Sequence, residues 1–260
     1  MENKLTEKHY WENYWKGIDL PMEIKRESSA PNIVAELDVF DQYLPKAKKS
    51  VLEIGGAPGQ YLAYFHKEFG YSINCLDYSN IGCEKARENF KLLNIPGRVY
   101  NGDLFSEDLQ LNEYDVVCSF GFIEHFSDIT EVVGRHIALL KPGGILVLGV
   151  PNFLGINHWF LKRLAPGLLA VHNLKSMDAS TWNDFEKVFR LELLFKQYVG
   201  GFEPSVFLQR EQKSVLNNFL FFIARLLNHL FHNNFKWLRK YNSKSTSGYL
   251  VGIYRKPLEQ

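Results

Sequence analysis

The sequence predicts an α/β protein built on a doubly wound, mostly parallel sheet. Three observations carry this expectation. Short apolar runs alternate with helical patterns from residue 50 to 152. The first run opens directly into a glycine-rich turn and a helix, and acidic residues recur just past the ends of successive runs. With 260 residues and 46% hydrophobic content, the chain suits one large α/β core with embellishments.

The first element is Ser50-Val-Leu-Glu-Ile-Gly-Gly-Ala-Pro-Gly-Gln60, a short strand carrying Glu53 that runs into the turn. A helix follows from Tyr61, and its first N–H groups are free and lie at the positive end of the helix dipole. Glycines let a ligand approach the main chain closely. A strand–turn–helix unit of this kind fits an adenosine-containing cofactor. The dinucleotide fingerprint G-x-G-x-x-G needs a third glycine where Gln60 stands. The alternative, acidic-x-G-x-G-x-G, reads Glu53-x-Gly55-x-Ala57-x-Gly59, with Gly56 inside the turn and alanine in the middle position.

The second strand, from Tyr71, ends at Asp77-Tyr78-Ser79, about twenty residues past the loop. A carboxylate there can accept from both ribose hydroxyls. Asp77 or Ser79 also suits the N-cap of the following helix, and the two roles are compatible. A third strand, Arg98–Asn101, ends in Gly102-Asp103-Leu104, which taken singly reads as a turn. The fourth strand, Tyr114–Ser119, leads into Phe120-Gly-Phe-Ile-Glu124-His125-Phe126. Packing alone does not readily explain a Glu-His pair just beyond a buried strand, although Glu124 could satisfy local backbone N–H groups. Leu139-Leu-Lys-Pro-Gly-Gly then turns into the buried fifth strand, which ends at Pro151-Asn152.

In this order, across residues 50–152, the motifs resemble class I S-adenosylmethionine-dependent methyltransferases. The D-x-V…E-H-F segment resembles the ubiquinone-type small-molecule branch and its lipid-modifying relatives. The resemblance implies a Rossmann-like sheet of order 3-2-1-4-5-7-6 with the seventh strand antiparallel. It implies S-adenosylmethionine as cofactor, with Gly55, Gly56, Ala57 and Gly59 cradling the methionine portion and Glu53 ending the motif strand. Asp77, beside Tyr78, would bind the ribose; Asp103 and Leu104 would hold the adenine; Ser119 and Phe120 would line the sulfonium side. His125, assisted by Glu124, is the first candidate for a general base, and His172 the second. Glu124 could instead stabilise positive charge near the sulfonium.

Composition narrows the partners. Thirty basic against 29 acidic residues give no charge excess for nucleic acid, and no N/D-P-P-Y/F motif follows the fourth strand. Cys75, Cys83 and Cys118 lie in predicted core elements and read as buried reduced thiols of a cytoplasmic protein. No Cys/His spacing suggests a zinc site, and the first residues lack an apolar signal segment.

The segments divide as an N-terminal helical cap (1–45), the cofactor core (46–152), a substrate-side region with strand six (153–208), an insertion (209–245) and a final strand (246–260). Tyr10, Trp11, Tyr14 and Trp15 follow helical spacing and suit either a lid over the cofactor or plain packing. The region after strand five, with His158, Trp159 and His172, leaves the strand's carboxyl end, where ligands of such sheets bind. His172 there could be a base or a structural or solvated histidine.

Residues 209–244 carry Arg210, Lys213, Arg225, Lys236, Arg239, Lys240 and Lys244 against Glu211 alone. Leu216, Phe219, Leu220, Ile223, Leu226, Leu227 and Leu230 form an amphipathic stripe, with Phe221 opposite. The run is too short to span a bilayer. It reads as a lid or as an interfacial helix on anionic membrane. The function expected is methylation of a small or lipophilic molecule, on oxygen. The alternatives are methylation of a lipid- or glycan-linked precursor at the membrane face, or a cofactor-binding module without catalysis.

Overall fold

Five consecutive buried apolar strands fix the centre of the molecule, because a sheet buried on both faces needs continuous rather than alternating hydrophobic runs. The computed structural model describes residues 3–27, 30–211, 214–233 and 240–258. Its strands are β1 (Ser50–Ile54), β2 (Ser72–Asp77), β3 (Gly97–Asn101), β4 (Tyr114–Phe120), β5 (Leu140–Pro151), β6 (Glu192–Val199) and β7 (Tyr249–Arg255). They form one sheet of order β3-β2-β1-β4-β5-β7-β6, the expected order. β7 runs antiparallel to both neighbours, pairing Leu148 with Gly252 and Tyr198 with Leu250. At the foot of the sheet the Asp115 carboxylate accepts from Ser50 N and Oγ, at 2.9 and 2.7 Å, and from Lys141 Nζ at 3.0 Å. This joins β1, β4 and β5 at one level.

The helices are α1 (Lys8–Lys16), α2 (Pro31–Tyr43), α3 (Gln60–Phe69), α4 (Asn80–Leu92), α5 (Ile129–Ala138), α6 (Gly155–Leu164), α7 (Pro166–Ala170), α8 (Asn183–Val188) and α9 (Val215–Asn233). On one sheet face Leu37, Phe40, Leu62, Phe65 and Phe90 pack against Val51, Ile73 and Val116. On the other, Val132, Val133, Leu161, Trp182 and Phe185 cover Leu52, Val117 and Leu146. Trp182 is fully buried and donates from Nε1 to the Ser176 carbonyl at 2.8 Å. The three cysteines are buried free thiols.

Two boundaries differ from expectation. The helix predicted over residues 181–190 is only Asn183–Val188, because Trp182 turns into the core ahead of it and Arg190 takes φ 53° behind it. β5 begins at Leu140, before the Pro-Gly-Gly turn, because Leu140 already pairs with Tyr114 ahead of an irregularity in the ladder.

His136 of α5 is fully buried. Its Nδ1–H donates to the Val132 carbonyl at 2.8 Å, and its Nε2 accepts the Ser119 hydroxyl at 3.0 Å. Burial holds its pKa down to about 4 from 6.5, so the folded chain keeps the ring neutral. The unfolded chain protonates it below pH 6.5, so its contribution to stability is whole above that pH and declines toward pH 4. At pH 5 this group alone removes about 2 kcal/mol relative to pH 7.5. Urea unfolding at both pH values is expected to show His136→Asn losing about that much less stability than the wild type on going from pH 7.5 to pH 5.

Candidate active site

In an open α/β sheet, a crevice forms where neighbouring strands send their connections to opposite faces. Here that point lies between β1 and β4, beyond their carboxyl ends. A cavity of about 490 Å³ occupies it, within the range of small-molecule sites. Its floor is the turn Gly55–Pro58, and its walls come from the ends of β2, β3 and β4.

The turn is shaped by two glycines. Gly55 has φ 66° and Gly59, the N-cap of α3, has φ 90°, conformations that favour glycine. A side chain at Gly55 would also strike the Phe122 ring, and one at Gly59 the Phe90 ring. Ala57 has no positive φ, so the alanine that replaces the motif's middle glycine sits without backbone strain. Glu53 is buried beneath the turn, and its Oε2 has no hydrogen-bond partner among the described residues. Burial, with Asp77 nearby, pushes its carboxyl well above the usual range.

Asp77, at the end of β2, joins the turn to the strand and faces the cavity. Its carboxylate accepts from Ser79 N at 2.8 Å and Ala57 N at 3.4 Å, tying the turn to β2. It also lines the cavity, and burial raises its pKa to about 6. The helix cap proper is Ser79, whose Oγ accepts from Gly82 N at 3.0 Å. Tyr78, Asp103 and Leu104 line the same end. Asp103 closes a local turn by accepting from Phe105 N at 3.1 Å and forms an ion pair with Lys4.

Phe120 lines the cavity and stacks on Tyr61 at 4.1 Å. Ser119 does not line it, and this corrects the sequence expectation. Successive residues of a strand face opposite sides of the sheet, so Ser119 turns to His136 when Phe120 turns to the cavity.

Glu124 and His125 sit on a 3-10 turn (Ile123–His125) just past β4, and the chain after α7 brings His172 to them. The His125 and His172 rings lie 4.4 Å apart. Asn173 N donates to the Glu124 carbonyl at 2.6 Å and locks the two segments together. Each imidazole donates Nδ1–H to a backbone carbonyl, His125 to Val171 at 3.0 Å and His172 to Leu168 at 2.6 Å. That leaves both Nε2 lone pairs uncommitted by these bonds. Burial, with His172 nearby, holds His125 down to about 3, burial also lowers His172, and burial raises Glu124 to about 8. All three are therefore neutral at rest near pH 7. Trp159, on the same segment, is instead on the outside of α6, 45% exposed.

The roof is the N-terminal segment. Tyr10, Trp11, Tyr14 and Trp15 all line the cavity, and Trp11 meets the His125 ring edge-on at 4.9 Å. Glu12 accepts from Asn80 N at 2.8 Å and Ile81 N at 3.2 Å, capping α4 from across the crevice. A strap below α1 is laced to the end of β4, with Leu5 N donating to His125 O and Ser127 N to Asn3 O, both at 2.8 Å. Lys4, whose Nζ lies 4.8 Å from the Tyr78 ring centroid, had no sequence signal, because a lone terminal lysine resembles any other surface lysine. Gln209 and Leu168, also at the cavity, were equally silent.

α9 is not part of this roof. Among the described residues none of α9 lines the cavity; its packed face meets α6 and the 3-10 turn Pro204–Phe207. That face carries Asn217, Leu220, Phe221 and Ala224. The stripe read from the sequence is divided: Leu220, Ile223 and Leu227 pack on the body, whereas Leu216, Phe219 and Leu226 lie on the outer face with Phe222, each at least 46% exposed. The helix is apolar nearly all round, so periodicity alone did not identify the face that meets the body. Lys213, Lys236 and Arg239 lie outside the described residues. Among the described residues no helix is long and apolar enough to cross a membrane.

A family model described as a methyltransferase domain matches residues 26–203. A sarcosine/dimethylglycine N-methyltransferase from Aphanothece halophytica is 25% identical over 149 residues, covering 55% of this chain and 54% of that protein. The chain thus spans about half the length of this curated relative. The crystal structure of a coclaurine N-methyltransferase bound to N-methylheliamine and SAH superposes with TM-score 0.58 at 13% identity, over 95% of this chain and 85% of that one. A geranyl diphosphate C-methyltransferase from Streptomyces coelicolor A3(2), in complex with Mg2+, geranyl-S-thiolodiphosphate and S-adenosyl-L-homocysteine, gives 0.57 at 10% identity, over 85% and 75%. These structures share the fold, and the match over residues 26–203 carries the conclusion that the chain belongs to the methyltransferase-domain family.

Proposed function

We propose that this protein is an S-adenosylmethionine-dependent methyltransferase that acts on a small molecule, with an oxygen of that molecule as nucleophile. The observation that supports it most is the pairing of two half-sites across one crevice. Glu53 and Asp77 are buried acids under a glycine turn on one side. Glu124, His125 and His172 face the same cavity on the other. Glu53 Oε2, buried and without a partner among the described residues, suits a cationic ligand portion, and the start of α3, where no side chain caps the helix, suits the ligand's carboxylate. The cofactor therefore fits the residues present.

In this reading Gly55, Gly56, Ala57 and Gly59 hold the methionine portion. Asp77 accepts from the ribose, Asp103 and Leu104 contact the adenine with Tyr78 beside them, and Phe120 borders the sulfonium. When bound, the cofactor supplies an electrophilic methyl carbon on positively charged sulfur, displaced in line. The chain's own work is alignment and exclusion of water, worth several kcal/mol. The α1 aromatics close the site from above. His125 presents its Nε2 lone pair to the acceptor proton, with Glu124 beside it at 4.0 Å. The depressed basicity of the buried ring makes it a weak proton sink, so the acceptor's own acidity matters.

Calorimetry with S-adenosylmethionine tests the cofactor reading. Saturable binding is expected, weakened at least ~10-fold in Asp77→Ala by the loss of charge-assisted hydrogen bonds. No binding to the wild type would sink it. His125→Ala is expected to leave cofactor affinity nearly unchanged and to lower labelled-methyl transfer into a cell metabolite and lipid extract at least ~10²-fold. Equal transfer would remove His125 from the mechanism.

The outer face of α9 supports a second layer of the proposal: a lipophilic acceptor reached at an anionic membrane surface. Leu216, Phe219, Phe222 and Leu226 form an exposed apolar strip, with Arg225 on the same helix and Arg210, Lys240 and Lys244 in the flanking chain. Vesicles containing anionic lipid are expected to co-sediment the wild type and to lose it with Phe219→Ser/Phe222→Ser. Equal recovery on neutral vesicles, or by the double variant, refutes the membrane role and leaves the enzymatic reading standing.

A further inference from the structure

We infer that Glu124, His125 and His172 form a three-ligand site for a divalent transition-metal ion, with its open coordination positions facing the acceptor cavity. One ligand atom from each residue, a carboxylate oxygen and two imidazole nitrogens, lies within 4.8 Å of the others. Around a tetrahedral zinc ion, with bonds of about 2.0–2.2 Å, ligand atoms stand about 3.3 Å apart. Small side-chain rotations close that gap.

The surroundings of each ligand match what a metal requires. Metal-bound histidines almost always donate their other N–H to a carbonyl or carboxylate, which fixes the tautomer and aims the remaining lone pair. Both histidines do so here, to Val171 O and Leu168 O, and the backbone bond from Asn173 to Glu124 O holds all three in register. Glu124 is 1% exposed, and its Oε2 has no partner among the described residues. A buried carboxyl in that condition costs free energy that a bound cation would offset. The Trp11 and Phe153 rings abut the two imidazoles edge-on at 4.9 and 5.0 Å and shield the cluster.

Two neutral imidazoles and one carboxylate select zinc, iron(II) or cobalt(II) over magnesium and calcium, which prefer all-oxygen shells. Three protein ligands leave at least one position for an outside atom, the pattern of catalytic rather than structural zinc. An acceptor hydroxyl bound there would release its proton to water more readily. With the ion bound, His125 Nε2 is a ligand, and the lowered acceptor pKa takes over the role its lone pair has in the metal-free reading. This last use rests on the methyltransferase reading; the metal site itself does not.

The test uses the full chain, stripped with a chelator and titrated with Zn2+ by calorimetry and with Co2+ by visible absorption. One ion per chain is expected, with the intense absorption of four- or five-coordinate Co2+. Glu124→Gln and His172→Ala should each weaken binding at least ~10²-fold, since changing even an outer partner costs 10–100-fold. His9→Ala, an exposed control, should bind as the wild type does. No saturable ion in the wild type, a purely octahedral Co2+ spectrum, or equal affinity in folded Glu124→Gln overturns the inference. The wild-type spectrum decides even if a variant does not fold. S-adenosylhomocysteine binding, measured on the same metal-free protein, reports on the methyltransferase reading alone.

Discussion

The crevice between β1 and β4 is the constraint on which the rest of the molecule depends. Parallel strands whose connections depart to opposite faces cannot cover the gap beyond their own ends, so space remains there whatever the sequence. This chain fills the rim of that space with buried acids. Glu53, Asp77 and Glu124 all sit where burial opposes ionisation. A fold that tolerates three such carboxyls in one crevice is arranged for something that will pair with them. Glu36 is buried in a similar way; its Oε2 accepts from the Tyr61 hydroxyl at 2.7 Å, and its Oε1 has no partner among the described residues.

The second feature is that the roof belongs to a part of the chain distant in sequence from much of what it covers. Residues 3–15 reach the ends of β2, β3 and β4 through an ion pair, backbone bonds and ring contacts. Glu12 satisfies the first N–H groups of α4, so seating the roof also completes a helix terminus. Closure of the site and stability of the cofactor half are thereby coupled. The half proposed for the acceptor is built differently, from the end of β4 and the segment after α7, joined through Asn173. Such segments vary readily without disturbing the sheet, consistent with a fold whose relatives carry names of chemically diverse acceptors.

The buried strands, the turn after β1 and the acids at Asp77 and Glu124 were legible because each is encoded locally, whereas the sheet order followed from the family resemblance. A buried strand needs a continuous apolar run, a left-handed turn needs glycine, and a strand end followed by a helix needs a cap. The stripe on α9 was only partly right, for the complementary reason: Leu220, Ile223 and Leu227 pack inward, while Leu216, Phe219 and Leu226 do not. A helix apolar on two faces carries the same periodicity whichever face is inward, and only contact with α6 and the Pro204–Phe207 turn selects Leu220, Phe221 and Ala224. Ser119 was misplaced by one residue of strand alternation, enough to move it from the cavity to His136.

By itself, the amino-acid order determined the α/β class, the position of the cofactor turn and the members of the buried sheet, since short-range sterics and hydrophobic periodicity act along the chain. Tertiary structure alone decided that His172 stands beside His125, that Lys4 reaches Asp103 and that four aromatics close the cavity. Those contacts join residues 47, 99 or more than 100 positions apart. Their pairing is set by how helices and straps dock on the sheet, and no local pattern of residues records that docking.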